Sequence, residues 1–209
     1  MNIIKKNSVI ILASGMGKRF GTEEPKQYLR FNNQLLINHT IQLFLNHKKI
    51  DLILVMVNKK HKKFFNKIIH NKKVLRRYGG DSRQKSVFNG LKSIKRFNPL
   101  NVLIHDANRP FTDAKLISEI LEKLKRFKAV IPRIKIQDTI KKVENSKITP
   151  LNRNKIFALQ TPQGFKYKEL FEKHSNANSK KFTDDSSLFD DSSKFITYIY
   201  GNIENIKIT

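Results

Sequence analysis

Lysine and arginine set inside a glycine-punctuated turn are the residues of this chain best suited to chemistry. The segment Leu12–Lys26 reads LASGMGKRFGTEEPK and follows the apolar run Ser8–Ile11. Gly15 and Gly17 let the backbone approach an anion with no Cβ in the way, and the N–H groups of such a turn can form an anion-binding nest. Lys18, Arg19 and Lys26 add positive charge at the same mouth. Because G-x-G also occurs wherever a chain merely needs a positive φ, the neighbouring residues decide. A Walker A loop requires G-x-x-x-x-G-K-[ST], whereas Gly21 is followed by Thr22. A dinucleotide fingerprint requires G-x-G-x-x-G, whereas Gly21 comes one residue late and with two cations inside the turn. A different phosphate loop remains. Its lysines and arginine point to chemistry at the phosphates as well as binding, since charge developing on a leaving pyrophosphate is best met by preplaced cations.

Three further clusters carry chemical groups. Gly79–Ser86, GGDSRQKS, supplies two glycines, Arg83, and Ser86 at a helix start; a plain turn with an N-cap is the competing reading. His105-Asp106-Ala107-Asn108-Arg109-Pro110 puts a carboxylate at the end of the run Val102–Asp106. Asp106 suits Mg²⁺ or a substrate hydroxyl, and Arg109 suits either a ligand or a salt bridge to Asp106. Gln160–Phe165, QTPQGF, follows a run containing Arg153, and Lys207 lies in the closing NIKIT.

Alternating strands and helices are expected to position these groups. Apolar runs at Ser8–Ala13, Leu52–Val57, Val74–Tyr78, Val102–Asp106 and Ala129–Ile134 have strand length. Between them lie helical patterns at Leu35–Phe44, where Leu36, Thr40, Leu43 and Phe44 can share a face, at His61–Ile69, at Ser86–Ile94, and after Asp113, where Leu116, Ile117, Ile120, Leu121 and Leu124 recur. This pattern predicts an α/β fold: a mainly parallel sheet, helices on both faces, and ligands at the carboxyl ends of the strands. All three clusters are placed at strand-to-helix junctions. The stretch 134–157 breaks the rhythm, alternating apolar and polar residues on either side of Glu144-Asn145-Ser146, and reads as a β-hairpin leaving the body. An isolated hairpin is marginal in water, so a second copy of the chain is expected to cover it. Residues 1–209 otherwise read as one single domain.

Composition bounds the remaining possibilities. The 209 residues suffice for one sizeable core, and the absence of Cys excludes disulfides, thiol catalysis and thiolate metal sites. With no long uncharged apolar stretch and no signal-peptide pattern, a soluble cytoplasmic protein is expected. The net charge of +25 raises a polyanion partner such as RNA, DNA or an anionic membrane. The excess is mostly Lys, is spread along the whole chain, and comes with no RRM, KH or helix-turn-helix signature. A solvated surface that draws in phosphorylated substrates is therefore the expectation, with no nucleic-acid or membrane partner.

Taken in order, ASGMGKRFG…PKQY, GGDSRQKSVFNGL, HDANRPF, DTIKK, QTPQGF, TDDSS and NIKIT resemble the signature set of the 2-C-methyl-D-erythritol 4-phosphate cytidylyltransferases over nearly the whole chain. The resemblance implies a Rossmann-like nucleotidyltransferase, homodimeric through a protruding β-arm. With Mg²⁺ it would join CTP and methylerythritol phosphate into a CDP-alcohol plus pyrophosphate, in isoprenoid precursor synthesis (the MEP pathway).

Residue by residue, the resemblance implies that Ala13, Ser14, Gly15 and Gly17 wrap the triphosphate of CTP while Arg19 and Lys26 stabilise the transition state. Gly80, Asp81 and Ser86 would contact the cytosine. Asp106 would bind substrate hydroxyls near the metal, Thr139 and Arg153 would reach the methylerythritol phosphate from the partner's arm, and Lys207 would help position that phosphate. Ser14 stands where relatives usually carry a small apolar residue, and Asn108 where they carry Ala; neither change removes a charge that the reaction needs. Relatives usually continue beyond NIKIT into a terminal helix, and some carry this domain as the front half of a fusion with a cyclodiphosphate synthase, so a longer native polypeptide is an open expectation.

The chemistry fits the residue inventory. A phosphate-monoester nucleophile is already anionic at neutral pH, so no general base and no Ser-His or Cys-His pair is required. The task is to hold two anions in line: like charges about 4 Å apart repel by roughly 4 kcal/mol at an effective dielectric constant of 20. Arg19, Lys26, Arg153, Lys207 and Mg²⁺ are the expected neutralising groups. Competing functions are the sister activity of a ribitol 5-phosphate cytidylyltransferase, a basic nucleic-acid-binding protein, and a phosphate-binding module without catalysis.

Overall fold

Apolar runs that alternate between two faces build the centre of the molecule. The computed structural model describes residues 6–15, 24–177, 182–189 and 194–208. Strand β1 (Asn7–Ala13) is followed by a short antiparallel pair, β2 (Arg30–Phe31) and β3 (Gln34–Leu35), which turns on Asn32 and Asn33 at φ 46° and 61°. Then come α1 (Leu36–Asn46), β4 (Leu52–Val57), α2 (Lys62–Phe65), β5 (Val74–Tyr78), α3 (Arg83–Ile94), β6 (Asn101–Asp106), α4 (Ala114–Lys123) and β7 (Ala129–Lys135). A hairpin of β8 (Lys141–Glu144) and β9 (Lys147–Pro150) precedes β10 (Phe157–Leu159), β11 (Gln163–Lys166), α5 (Tyr167–Asn176) and β12 (Ile196–Tyr200).

The main sheet has the order β10-β7-β11-β6-β1-β4-β5, with β12 beside β7. β1 runs parallel to both β4 and β6, β4 to β5, and β7 to β12. Register aligns the carboxyl ends: Leu12 lies opposite Met56 and Asp106, Ala13 opposite Val57, and Val57 opposite Tyr78. Ser14 and Gly15 after β1, the GGDSRQKS turn and Asp106 therefore leave the sheet along one edge, where ligands of open α/β sheets bind.

Successive strand side chains feed opposite layers. Val9, Ile11, Val55 and Leu103 pack with Ile37, Ile41 and Phe44 of α1 and Leu116, Ile117 and Ile120 of α4. Ile10, Leu54, Met56 and Ile104 pack with Val87 and Leu91 of α3 and with Leu170 of α5. Each fully buried aliphatic side chain contributes roughly 1.5–3 kcal/mol. Asp113 caps α4, its carboxylate accepting from the N–H of Leu116 at 2.6 Å.

The structure departs from the sequence expectations in two places. The helix expected over His61–Ile69 shrinks to a 3-10 turn at Lys59–His61 and the single turn of α2. Lys59, Lys60, Lys62, Lys63 and Lys67 offer no acidic partner at helical spacing inside the segment, so like charges oppose a longer helix. Phe64 and Ile68 are nonetheless buried, as the apolar pattern requires. Second, QTPQGF leads into a strand instead of standing at a strand-to-helix junction: β11 inserts antiparallel between β6 and β7. Gly164 allows this insertion, because a Cβ there would lie 2.2 Å from Ile120 Cγ2. With β10 also antiparallel to β7, the sheet is mixed but mainly parallel, as the strand pattern predicts.

The hairpin forms where the alternation places it. Asn145 and Ser146 carry φ of 46° and 65° in the connecting turn, and Val143 faces Ile148 across it. Both of these apolar side chains are exposed, at 66% and 60%.

Candidate active site

The segment that leaves β1 is organised around a buried glutamine. Gln27, in a 3-10 turn at Lys26–Tyr28, donates from Nε2 to the carbonyls of Ala13 (2.8 Å) and Gly15 (2.9 Å). That crosslink ties Ala13 and Gly15 to the 3-10 turn that carries Lys26. Asn58 Nδ2 donates to the Ser14 carbonyl at 2.9 Å from the end of β4. Gly17 and Arg19, assigned to the triphosphate and the transition state, lie outside the described residues.

The GGDSRQKS turn converges on Ser86. Its hydroxyl lies 2.8 Å from Ser14 Oγ, accepts from Gly80 N–H at 3.0 Å and donates to the Ser82 carbonyl at 2.8 Å. Ser82 caps α3, accepting from Lys85 N–H at 3.1 Å. Ala13, Ser14, Gly15, Gly80 and Ser86 are thus brought together. Gly79 permits the approach, since a Cβ there would stand 2.6 Å from Ser14 Cβ. Asp81 is exposed and paired with Lys85 at 3.0 Å, which holds its carboxyl below the usual range.

Sequence reading passed over what lies beneath this loop. Arg83 turns inward and donates to Asp185 Oδ2 at 2.6 Å, and His174 Nε2 meets Asp185 Oδ1 at 2.9 Å. Burial alone would raise the Asp185 carboxyl, but Arg83 and His174 outweigh it and hold it below the usual range. The available signal was the paired acids of TDDSS, since fully buried acids need partners.

A second cluster of charge centres on Asp106. Lys207 Nζ lies 2.8 Å from Asp106 Oδ2, and Arg109 Nε lies 3.7 Å from the same oxygen. Burial pushes the Asp106 carboxyl up, but Lys207 and then Arg83 outweigh it, leaving it ionised with a lowered pKa. Thr161 Oγ1 accepts from Asp106 N–H at 3.1 Å and lies 3.2 Å from His105 Nδ1, while His105 Nε2 faces the Arg109 carbonyl at 3.1 Å. Since that carbonyl can only accept, the proton is assigned to Nε2, and Nδ1 accepts from Thr161. Thr139 and Arg153 lie on the arm, both exposed, with Arg153 donating to the Gln137 carbonyl.

His105 gives the site a pH signature. Complete burial pushes its imidazole down from 6.5 to about 4. As pH falls through 6.5 the unfolded chain takes up a proton that the folded chain refuses until about 4. The neutral ring's contribution to stability is therefore complete above this window and lost toward its lower end, a loss on the order of 3 kcal/mol. His105→Gln is expected to flatten the slope of urea-derived unfolding free energy between pH 6.5 and 4. An unchanged slope would refute the assignment.

The sequence model of a family described as 2-C-methyl-D-erythritol 4-phosphate cytidylyltransferase matches residues 7–209. The protein named bifunctional enzyme IspD/IspF from Pelagibacter ubique is 42% identical over 201 residues, covering 96% of this chain and 53% of that relative. The 2-C-methyl-D-erythritol 4-phosphate cytidylyltransferase of Clostridioides difficile is 39% identical over 210 residues, covering 97% of this chain and 88% of the relative. The crystal structure of 4-diphosphocytidyl-2C-methyl-D-erythritol synthase from Anaerococcus prevotii superposes with a TM-score of 0.82 at 29% identity, covering 98% of this chain and 90% of that one. The chain spans about half the length of the bifunctional relatives from Pelagibacter ubique and Wolbachia pipientis.

Proposed function

This chain belongs to the 2-C-methyl-D-erythritol 4-phosphate cytidylyltransferase family, and we propose that it transfers a cytidylyl group from CTP to the phosphate of methylerythritol phosphate, releasing pyrophosphate. The observation that carries this reading is the Asp106–Lys207 pair, 2.8 Å apart, at the end of a strand directly beside the phosphate loop's own strand.

In the proposed reaction an acceptor phosphate oxygen attacks the α-phosphorus of CTP, the bond from that phosphorus to the bridging β-phosphate oxygen breaks, and pyrophosphate leaves with the electron pair. Ala13, Ser14, Gly15 and Gly17 hold the triphosphate, and Gly80, Asp81 and Ser86 hold the cytosine. Arg19 and Lys26 meet charge developing on the leaving group. Lys207 retains N–H donors beyond the one on Asp106 and turns them to the acceptor phosphate, while Asp106 accepts from acceptor hydroxyls.

Mg²⁺ is the proposed cofactor. Among the described residues no group of three or more His, Asp or Glu could hold a metal. A single carboxylate at the mouth, Asp106, nonetheless fits an ion that takes one or two protein carboxylates and completes its shell with water and substrate phosphates. When bound, the ion would neutralise triphosphate charge.

The arm completes the proposal. A second copy covers Val143 and Ile148, and each arm delivers Thr139 and Arg153 to the other subunit's acceptor site. Val143→Asp combined with Ile148→Asp is expected to halve the mass seen in analytical ultracentrifugation. An unchanged mass would reject the arm as the interface. The acceptor is tested by pyrophosphate release with CTP and Mg²⁺: methylerythritol phosphate is expected to turn over and ribitol 5-phosphate to be poor. The reverse order would assign the sister activity, and salt-sensitive RNA binding without CTP turnover would replace the enzyme reading altogether.

A further inference from the structure

Lys207 reaches Asp106 from a segment with no regular secondary structure and little apolar anchorage. Ile203 and Ile206, on the same segment, are 58% and 54% exposed. What holds it is a set of buried amides. Asn205, fully buried, donates from Nδ2 to the Thr161 carbonyl at 2.8 Å and accepts at Oδ1 from Thr112 Oγ1 at 2.9 Å. Its own carbonyl accepts from Arg109 at 2.7 Å and from Gln160 Nε2 at 3.3 Å.

Gln160 brackets the entry to the segment, donating to the Asn202 carbonyl at 2.8 Å and accepting from Asn202 N–H at 3.1 Å. Gly201 makes room for that bracket, since a Cβ there would lie 2.3 Å from Gln160 Oε1. Beyond Lys207, Asn108 Nδ2 donates to the Ile208 carbonyl, and Ile208 N–H returns a bond to the Asn108 carbonyl at 3.0 Å. The lysine is thus pinned on both sides, to residues that flank Asp106 on its own loop and on the strand approach from Gln160 to Thr161.

We propose that Asn205, Asn108 and Gln160 form a clasp of positioning residues for the transfer reaction, acting through Lys207 by fixing where its ammonium stands against Asp106. The proposal rests on the cytidylyltransferase reading. A lysine side chain has rotamer freedom of its own, and on an unfixed backbone its ammonium would range over several ångströms; misplacement of about 1 Å can lower a rate on the order of 100-fold. The amides remove the backbone's share of that freedom while leaving the ammonium, on a side chain 43% exposed, open to a ligand.

A double-mutant cycle tests the clasp. Asn205→Ala is expected to lower kcat/KM for the acceptor at least about 10-fold with the KM for CTP unchanged, and to have less than about a 2-fold effect in a Lys207→Ala background, where the group it acts through is gone. Asn108→Ala, which loses a bond nearer the surface, provides the same cycle should Asn205→Ala fail to fold. Independently of turnover, Asn108→Ala is expected to speed hydrogen exchange at residues 203–208 while β1 and β6 keep their protection. Equal losses in both backgrounds, or unchanged exchange, overturn the clasp and leave the reaction assignment standing. Full turnover by Lys207→Ala overturns the clasp together with the role given to Lys207, and accelerated exchange would then mark the amides as holding only the backbone.

Discussion

Lys26→Ala is expected to lower turnover at least about 100-fold while CTP affinity changes far less. A cation that meets charge appearing on the leaving pyrophosphate earns its effect in the transition state, so its loss should fall on kcat rather than on binding. The geometry explains why Lys26 suits this role. Gln27 binds the carbonyls of Ala13 and Gly15 at 2.8 and 2.9 Å, so the backbone of its neighbour Lys26 is held relative to Ala13 and Gly15. Steady-state pyrophosphate release together with calorimetric CTP titration separates the two effects. Equal activity of the variant would remove Lys26 from catalysis, and a loss confined to CTP affinity would make it a binding residue only.

Asp106→Asn is expected to have a comparable effect by a different route. The carboxylate carries the charge that Lys207 and Arg109 face at 2.8 and 3.7 Å, and the amide keeps the shape while removing that charge. Lys207 then loses its fixed partner, Arg109 is left partly buried against a neutral group, and the donor proposed for Mg²⁺ weakens. A fall of roughly 100- to 1000-fold in kcat/KM for the acceptor is the expected outcome. A higher Mg²⁺ requirement in the variant would accompany it; wild-type turnover and Mg²⁺ dependence would exclude Asp106 from the site.

Much of this arrangement was legible before the fold was seen, because it rests on local signals. Apolar runs of strand length mark β1, β4, β5, β6 and β7, glycines mark the turns at the carboxyl edge of the sheet, and Asn145-Ser146 in an alternating stretch marks the hairpin. What stayed hidden is non-local. Nothing in QTPQGF announces a strand, since Gln163–Lys166 is short, and its antiparallel insertion between β6 and β7 depends on Gly164 passing Ile120. The helix expected at His61–Ile69 follows the apolar period of Phe64 and Ile68 but ignores repulsion among the lysines within the segment. The Arg83–Asp185–His174 cluster and the Asn205 clasp join residues far apart in the chain, and single polar letters do not reveal their partners. Lys207 shows the same limit: the resemblance implies a role for it, but its ion pair with Asp106, which spans the interval from β6 to the closing segment, is seen only in the fold.

The central claim is that cations around one crevice let two phosphorylated molecules meet and exchange a cytidylyl group. Phosphorus NMR of the purified chain with CTP, methylerythritol phosphate and Mg²⁺ tests it most directly, because it sees every phosphorus at once. The account predicts that the triphosphate and monoester signals decline together while the coupled pair of a diphosphate diester and the single line of pyrophosphate grow in equal amounts. Persistence of the monoester while CTP decays to CDP and inorganic phosphate would contradict it.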